Sequence, residues 1–181
     1  MNKSRKSITW GIIAIICLAI LIVLDQWTKQ LAVQHLAGQA DIPLIKDVLV
    51  LHYLENVGAA FGLFKNQGWL FIIVTMIFLV CAIYLFVKMP KSKRYLPLHS
   101  LIIFLLAGAI GNLIDRITNN YVIDFIYFVP INFPVFNIAD IYVTVSALIL
   151  MLLIAFYYKD ADFTFLNTKA KEASEDIRSD I

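Results

Sequence analysis

Charge is what this sequence has least of. Lys, Arg, Asp and Glu together make up 15% of its 181 residues, while 61% are hydrophobic. A soluble domain carries about 25% charged and about 45–50% apolar residues, so the expected solvent is the bilayer. Several chemistries lack their motifs as well. There is no H-E-x-x-H, and His35, His52 and His99 are scattered, which argues against a zinc site or any other metal. No Gly-rich phosphate loop is present. No groove of interleaved basic and aromatic residues suggests nucleic acid. A Ser–Lys dyad would need a serine near Lys29, but Ser100 and Ser146 lie elsewhere. The only two cysteines, Cys17 and Cys81, sit inside apolar runs, where a free thiol behaves as a small apolar side chain and reports no redox compartment.

The abundant residues are arranged in four long apolar stretches, at about 8–24, 69–87, 96–114 and 138–158. A spanning helix needs about 20 such residues, and in lipid only a helix satisfies its own backbone. Asp25 is expected to close the first span. Pro97 opens the third, Asp115 and Arg116 close it, and Asp140 stands in the first turn of the fourth. Lys3, Arg5 and Lys6 precede the first span, but no A-x-A-like site follows it, so an uncleaved helix is expected. Basic residues fill the N-terminus, the 88–95 link (Lys88, Lys91, Lys93, Arg94) and the tail (Lys159, Lys169, Lys171, Arg178). By the positive-inside rule these are cytoplasmic, which leaves segments 25–68 and 115–137 on the outer side. Residues 48–54 read as a strand and 56–62 as a turn-rich stretch, together suggesting a small sheet on the membrane surface. The charged tail from Asp160 onward is expected to be mobile.

The polar residues collect at one depth. Asp25, Lys29, Asn112, Asp115, Arg116, Asp124, Asn137 and Asp140 all fall near the expected outer interface, and charges at membrane depth usually serve function. Asp25 and Lys29 are spaced i, i+4 and can pair. Gly108, Asn112, Asp115 and Arg116 share one stripe of the third span, while Ala107 and Gly111 are spaced to let another helix approach. Asp25–Lys29 and Asp115–Arg116 could be structural ion pairs that fix helix ends. Asp140 could be only a capping residue, three positions after an Asn137 N-cap. Alternatively, Asp124 and Asp140 form a pair. Two close carboxylates share one proton, so the ionised member can deprotonate a water while the protonated one donates to a carbonyl. Asp140, at the helix N-terminus, would be the more acidic. No cofactor is needed.

Five blocks then carry a resemblance. Asp25-Gln26-Trp27-Thr28-Lys29, the segment 56–62 (Asn-Val-Gly-Ala-Ala-Phe-Gly), the segment 108–116 (Gly-Ala-Ile-Gly-Asn-Leu-Ile-Asp-Arg), Val122-Ile123-Asp124-Phe125 and the segment 133–140 (Phe-Pro-Val-Phe-Asn-Ile-Ala-Asp) occur in that order. Over about residues 8–158 the chain resembles the lipoprotein signal peptidase (signal peptidase II) family. The resemblance implies an all-α integral membrane protein of four transmembrane helices, with a small extracytoplasmic β-cradle and a loop or lid on the membrane. Residues 1–158 would form the peptidase domain and 159–181 a cytoplasmic tail. The implied activity is cleavage of the signal peptide from diacylglyceryl-modified prolipoproteins, just before the lipidated cysteine. Asp124 and Asp140 match the catalytic dyad. Asn56, Gly58, Asn112, Asp115, Arg116 and Asn137 match residues that line or brace the substrate pocket, and Asp25, Lys29 and Gly108 match its structural support. Membrane lipid and globomycin-type inhibitors are implied partners of a protein acting as a monomer. Val57 stands where a polar residue is common in the family, which puts no chemical role in doubt.

Two other readings compete. A small transporter should line a path across the bilayer with polar residues, but spans two and four are nearly all apolar. A non-enzymatic membrane scaffold would tolerate loss of the aspartates. Another intramembrane aspartyl protease class is disfavoured by the absence of its G-x-G-D motif.

Overall fold

The computed structural model describes residues 3–58 and 68–166. Positions 59–62 of the turn-rich stretch, the lid expected there and the tail from 167 onward lie outside the described residues. Four helices carry the structure: α1 (Lys3–Leu36), α2 (Gly68–Lys88), α3 (Leu96–Asn119) and α4 (Ile138–Phe156). Each contains a stretch long and apolar enough to cross a membrane. Three strands, β1 (Ile42–Ile45), β2 (Leu49–Asn56) and β3 (Val122–Phe128), form one antiparallel sheet in the order β1-β2-β3.

α3 is the central helix and packs against the other three. Its small residues make this possible. Ala107 is fully enclosed. A Cβ at Gly108 would fall on the Ala139 carbonyl of α4, and one at Gly111 would fall on the Asp25 carboxylate of α1. The close approach expected from Ala107 and Gly111 is therefore shared with Gly108, which supports α4 directly. Leu98, Ile102, Leu106 and Leu113 of α3 form one apolar core with Leu79 and Ala82 of α2 and with Met89 and Tyr158.

The first helix does not end at Asp25. α1 continues for eleven residues to Leu36, because Asp25 and Lys29 are 0% and 1% exposed and neutralise each other inside the bundle. At 1.5 Å per residue, Ile8–Leu36 is about 44 Å long, more than the roughly 30 Å hydrocarbon layer. The surplus is used: Ala32 and Leu36 pack under the sheet against Ile123 and Phe125. α3 likewise runs past Asp115 to Asn119, where Asn120, at φ 65°, ends it by donating its N–H to the Arg116 carbonyl.

The sheet is larger than the single strand expected from residues 48–54. β3 pairs with β2 from Leu49↔Phe128 to Asn56↔Val122, with a register shift between Leu51 and Leu54. Val122 to Phe125 are all buried, so β3 shows no alternation of inward and outward residues. The backbone of Phe136 bonds Phe125 and Ile126, at 2.8–3.0 Å, and ties the entry to α4 onto β3. At the other end of the bundle, residues Asp160–Leu166 form a 3₁₀ turn and do not belong to a loose tail. Arg94 holds Asp162 with two bonds of 2.6 Å, and Phe163 and Phe165 pack beside Tyr95 and Tyr158.

Candidate active site

The deepest charges form a cluster around Lys29. Its ammonium has three donors, and each has an acceptor at 2.9 Å: Asp25 Oδ2, Asp115 Oδ2 and Asn112 Oδ1. Asp25 Oδ1 accepts from the Ala139 N–H at 3.0 Å, and Asp115 Oδ2 accepts from the Ile123 N–H at 3.1 Å. The cluster therefore joins α1, α3, β3 and α4. Asp115 pairs with Lys29, and the pairing expected with Arg116 does not occur. Adjacent residues on a helix point about 100° apart, whereas Asp115 and Lys29 face each other across two packed helices. Gln26 completes the cluster, donating to Asp115 Oδ1 at 3.0 Å and to the Gly111 carbonyl at 3.1 Å. Sequence reasoning gave Gln26 no role, although it stands between the aspartate and lysine of the first motif.

Two asparagines carry order from this cluster to the remaining carboxylates. Asn112 accepts from Lys29 and donates to Asp140 Oδ1 at 2.8 Å. Asn137 is the N-cap of α4: its Oδ1 accepts from the Asp140 N–H at 3.0 Å, and Asp140 Oδ2 accepts from the Asn137 N–H at 3.2 Å. This reciprocal capping box fixes the Asp140 side chain. The Asn137 amide also donates to Asp124 Oδ1 at 2.7 Å and to Asn112 Oδ1 at 3.0 Å. On its other side Asp124 Oδ2 accepts from Asn56 Nδ2 at 2.8 Å, and Asn56 Oδ1 accepts from the Gly58 N–H at 3.0 Å. Gly58 has φ 114°, and a Cβ there would lie 3.0 Å from the Phe71 ring.

Asp124 and Asp140 thus meet through one bridging residue. Both line a cavity of about 430 Å³ walled by Phe133, Pro134, Val135 and Ile141. Asp140 also lines a second cavity, of about 330 Å³, between α2, α3 and α4, with Asn112, Arg116 and Gly108. Arg116 lies 5.2 Å over the Phe71 ring and reaches the Asn112 carbonyl at 3.4 Å. Asp115 and Asn137 are 1% and 0% exposed and line neither cavity; they act through their partners. Burial pushes the Asp124 carboxyl up to about 7, with the neighbouring Asp140 charge adding to the rise and the Asn56 and Asn137 hydrogen bonds opposing it. At neutral pH a large share of Asp124 therefore keeps its proton. A protonated acid and a second carboxylate at one cavity can together activate and position a water for attack on a carbonyl. His52 pairs with Asp41, and His99 bonds the Tyr95 carbonyl; neither histidine contacts these carboxylates.

Residues 17–156 match the family model described as signal peptidase (SPase) II. A protein named lipoprotein signal peptidase from Caldanaerobacter subterraneus subsp. tengcongensis is 42% identical, over 79% of this chain and 96% of its own length. One of the same name from Brevibacillus brevis is 41% identical, over 74% of this chain and 89% of its own. Two solved structures of a bacterial membrane enzyme share the fold, with TM-scores of 0.68 and 0.71 at 30% and 29% identity, covering 81% and 80% of this chain and 92% and 94% of theirs. A match that spans α1 to α4 and includes both carboxylates, their two asparagines and the buried lysine makes this chain a member of the signal peptidase II family.

Proposed function

We propose that this protein is a membrane aspartyl endopeptidase that removes the signal peptide from diacylglyceryl-modified prolipoproteins, cleaving before the lipidated cysteine. The observation that carries this reading is Asn137, whose side chain and cap hold Asp124 and Asp140 at one cavity. Asp124, the partner whose proton is retained to about pH 7, donates to the scissile carbonyl oxygen. Asp140, in the first turn of α4, where the helix dipole favours negative charge, takes a proton from the water as the water oxygen attacks the carbonyl carbon. The tetrahedral intermediate collapses with breakage of the C–N bond. The proton held by Asp140 passes to the leaving nitrogen, and one hydroxyl proton of the intermediate returns to Asp124.

The other residues take positional roles. Asn112 and Arg116 face the substrate from the α2–α3–α4 cavity, and Asn56 and Gly58 place Asp124 and border the lipid-bearing cysteine. Asp115, Asn137, Asp25, Lys29 and Gly108 brace the site. The sheet and the site lie on the outer side of the cytoplasmic membrane, and both termini and the 88–95 link lie inside. The substrate's signal helix stays among the spans while its acyl chains remain in lipid, and globomycin competes for the same cavities.

The test is cleavage of a diacylglyceryl-modified prolipoprotein peptide by purified wild type and Asp124→Asn, with EDTA and globomycin arms. The expected result is cleavage before the lipidated cysteine that survives EDTA, stops with globomycin and is absent in the variant. Failure of well-folded wild type to cleave would refute the reading and favour a scaffold.

A further inference from the structure

Among the described residues, two hydroxyls in the cavities that Asp140 lines have no hydrogen-bond partner. Thr144 lies one turn beyond Asp140 on α4, so the two side chains share a face, and Thr144 lines both cavities. Thr75, on α2, lines the second cavity with Asn112, Arg116 and Asp140. A threonine inside a helix commonly returns its hydroxyl to a carbonyl three or four residues back. Thr118 does so with Ile114, and Thr28 with Asp25. Among the described residues, neither Thr75 nor Thr144 makes a hydrogen bond to its own helix or to any other group. A hydroxyl left so in an apolar setting is unfavourable unless a partner arrives.

The reaction brings one. Within a helix, a peptide carbonyl and N–H are occupied by residues four away and wrapped by side chains. A signal peptide can present its scissile bond to Asp124 and Asp140 only where its chain is extended. Extended backbone at membrane depth carries N–H and C=O groups that lipid cannot satisfy. We propose that Thr144 and Thr75 hydrogen-bond the extended backbone of the signal-peptide segment just before the scissile bond, acting as positioning residues for cleavage. This rests on the peptidase reading. Thr144, at the border of the two cavities, serves the peptide unit nearest the bond. Thr75, present in the second cavity alone, serves a unit further upstream on the Arg116 side. A hydroxyl both donates and accepts, so each can meet either backbone group and neither reads a side chain. The subsite therefore selects for an unwound backbone and tolerates varied signal-peptide residues.

The test compares kcat and KM of wild type, Thr75→Val, Thr144→Val and Thr144→Ser on the same lipidated peptide. Valine keeps the threonine shape, so packing is preserved. The expected result is a fall in kcat/KM of about 3- to 10-fold for each valine variant, the worth of one hydrogen bond. The fall is carried mainly by KM, thermal stability stays at or above the wild-type value, and Thr144→Ser recovers the wild-type value. Both valine variants within twofold of wild type, or Thr144→Ser as impaired as Thr144→Val, would overturn the proposal and leave the peptidase reading standing. Absence of cleavage by wild type would instead overturn the peptidase reading, and this inference with it.

Discussion

Replacing Lys29 by methionine tests how the bundle tolerates its buried charge. The ammonium is 1% exposed and is the common donor to Asp25, Asp115 and Asn112. Methionine has a similar reach but no charge and no donor, so it leaves two carboxylates, 0% and 1% exposed, facing each other without a cation. Removing one partner of a buried ion pair costs about 3–5 kcal/mol, much of it the penalty on the charge left behind. For a domain of this size, about 1 kcal/mol shifts Tm by roughly 2–4 °C, so Lys29→Met should lower Tm by about 6–20 °C. The assay is thermal unfolding in detergent, followed by tryptophan fluorescence. The triple variant Lys29→Met, Asp25→Asn, Asp115→Asn removes the stranded charges and should recover more than half of the loss, because deleting a whole buried charge set is often close to neutral. A Lys29→Met protein within 3 °C of wild type would refute the claim that this cluster is dry and tightly paired. A triple variant no more stable than Lys29→Met would show that the loss comes from packing and not from charge.

Two further outcomes follow from named contacts. The Asp124 carboxyl titrates near 7 in the folded protein, above its ordinary value of 3.8, so the folded state binds the proton more tightly than the unfolded one. Wild-type stability should therefore fall as pH rises from about 4 to 7 and then level off, by on the order of 2–4 kcal/mol. Asp124→Asn should lack that slope, which paired Tm measurements at pH 4.5 and pH 8 would show; equal slopes would contradict the buried, protonated acid. Gly111→Ala pushes a methyl onto the Asp25 carboxylate and should destabilise by about 1–3 kcal/mol, seen as a lower Tm, whereas Gly11→Ala, where a Cβ meets nothing within 4 Å, should keep or slightly raise Tm, because alanine is the better helix former.

The helices were legible because lipid leaves a chain few options: a long apolar run must be helical, and α2 and α4 begin and end close to where hydropathy puts them. The same logic does not give the end of α1, which runs on past Asp25 to Leu36. Hydropathy treats a charge as a boundary; the i, i+4 pairing of Asp25 with Lys29 is local and visible in the spacing, but only the tertiary contacts of the pair with Asp115, Asn112 and Ala139 show that the charge is internal. β3 is not legible as a strand, because four consecutive buried residues erase the alternation that marks one. The Asn137–Asp140 capping box could be anticipated from a spacing of three. That Asn137 also reaches Asp124 could not, since the contact depends on Phe136 pairing with β3. The docking of Asp162 on Arg94 was invisible for a similar reason: charge composition marks the segment as tail, while the aromatic residues that seat it are spaced irregularly.

The division of labour between amides and acids has a physical reason. Lys29 and Asp140 lie on either side of Asn112, which accepts from one and donates to the other. An acid at position 112 would share the lysine's charge and add a third carboxylate beside Asp140. A lysine there would favour the ionised form of both carboxylates and work against the raised titration of Asp124. A neutral amide fixes the geometry on both sides while leaving the charge state of the pair to its own burial and mutual repulsion. Asn56 and Asn137 do the same for Asp124: each donates one bond, which opposes the upward shift without abolishing it. Three amides thus bind two acids firmly, and the Lys29 charge, held behind Asn112, opposes the upward shift of Asp124 without cancelling the effect of burial.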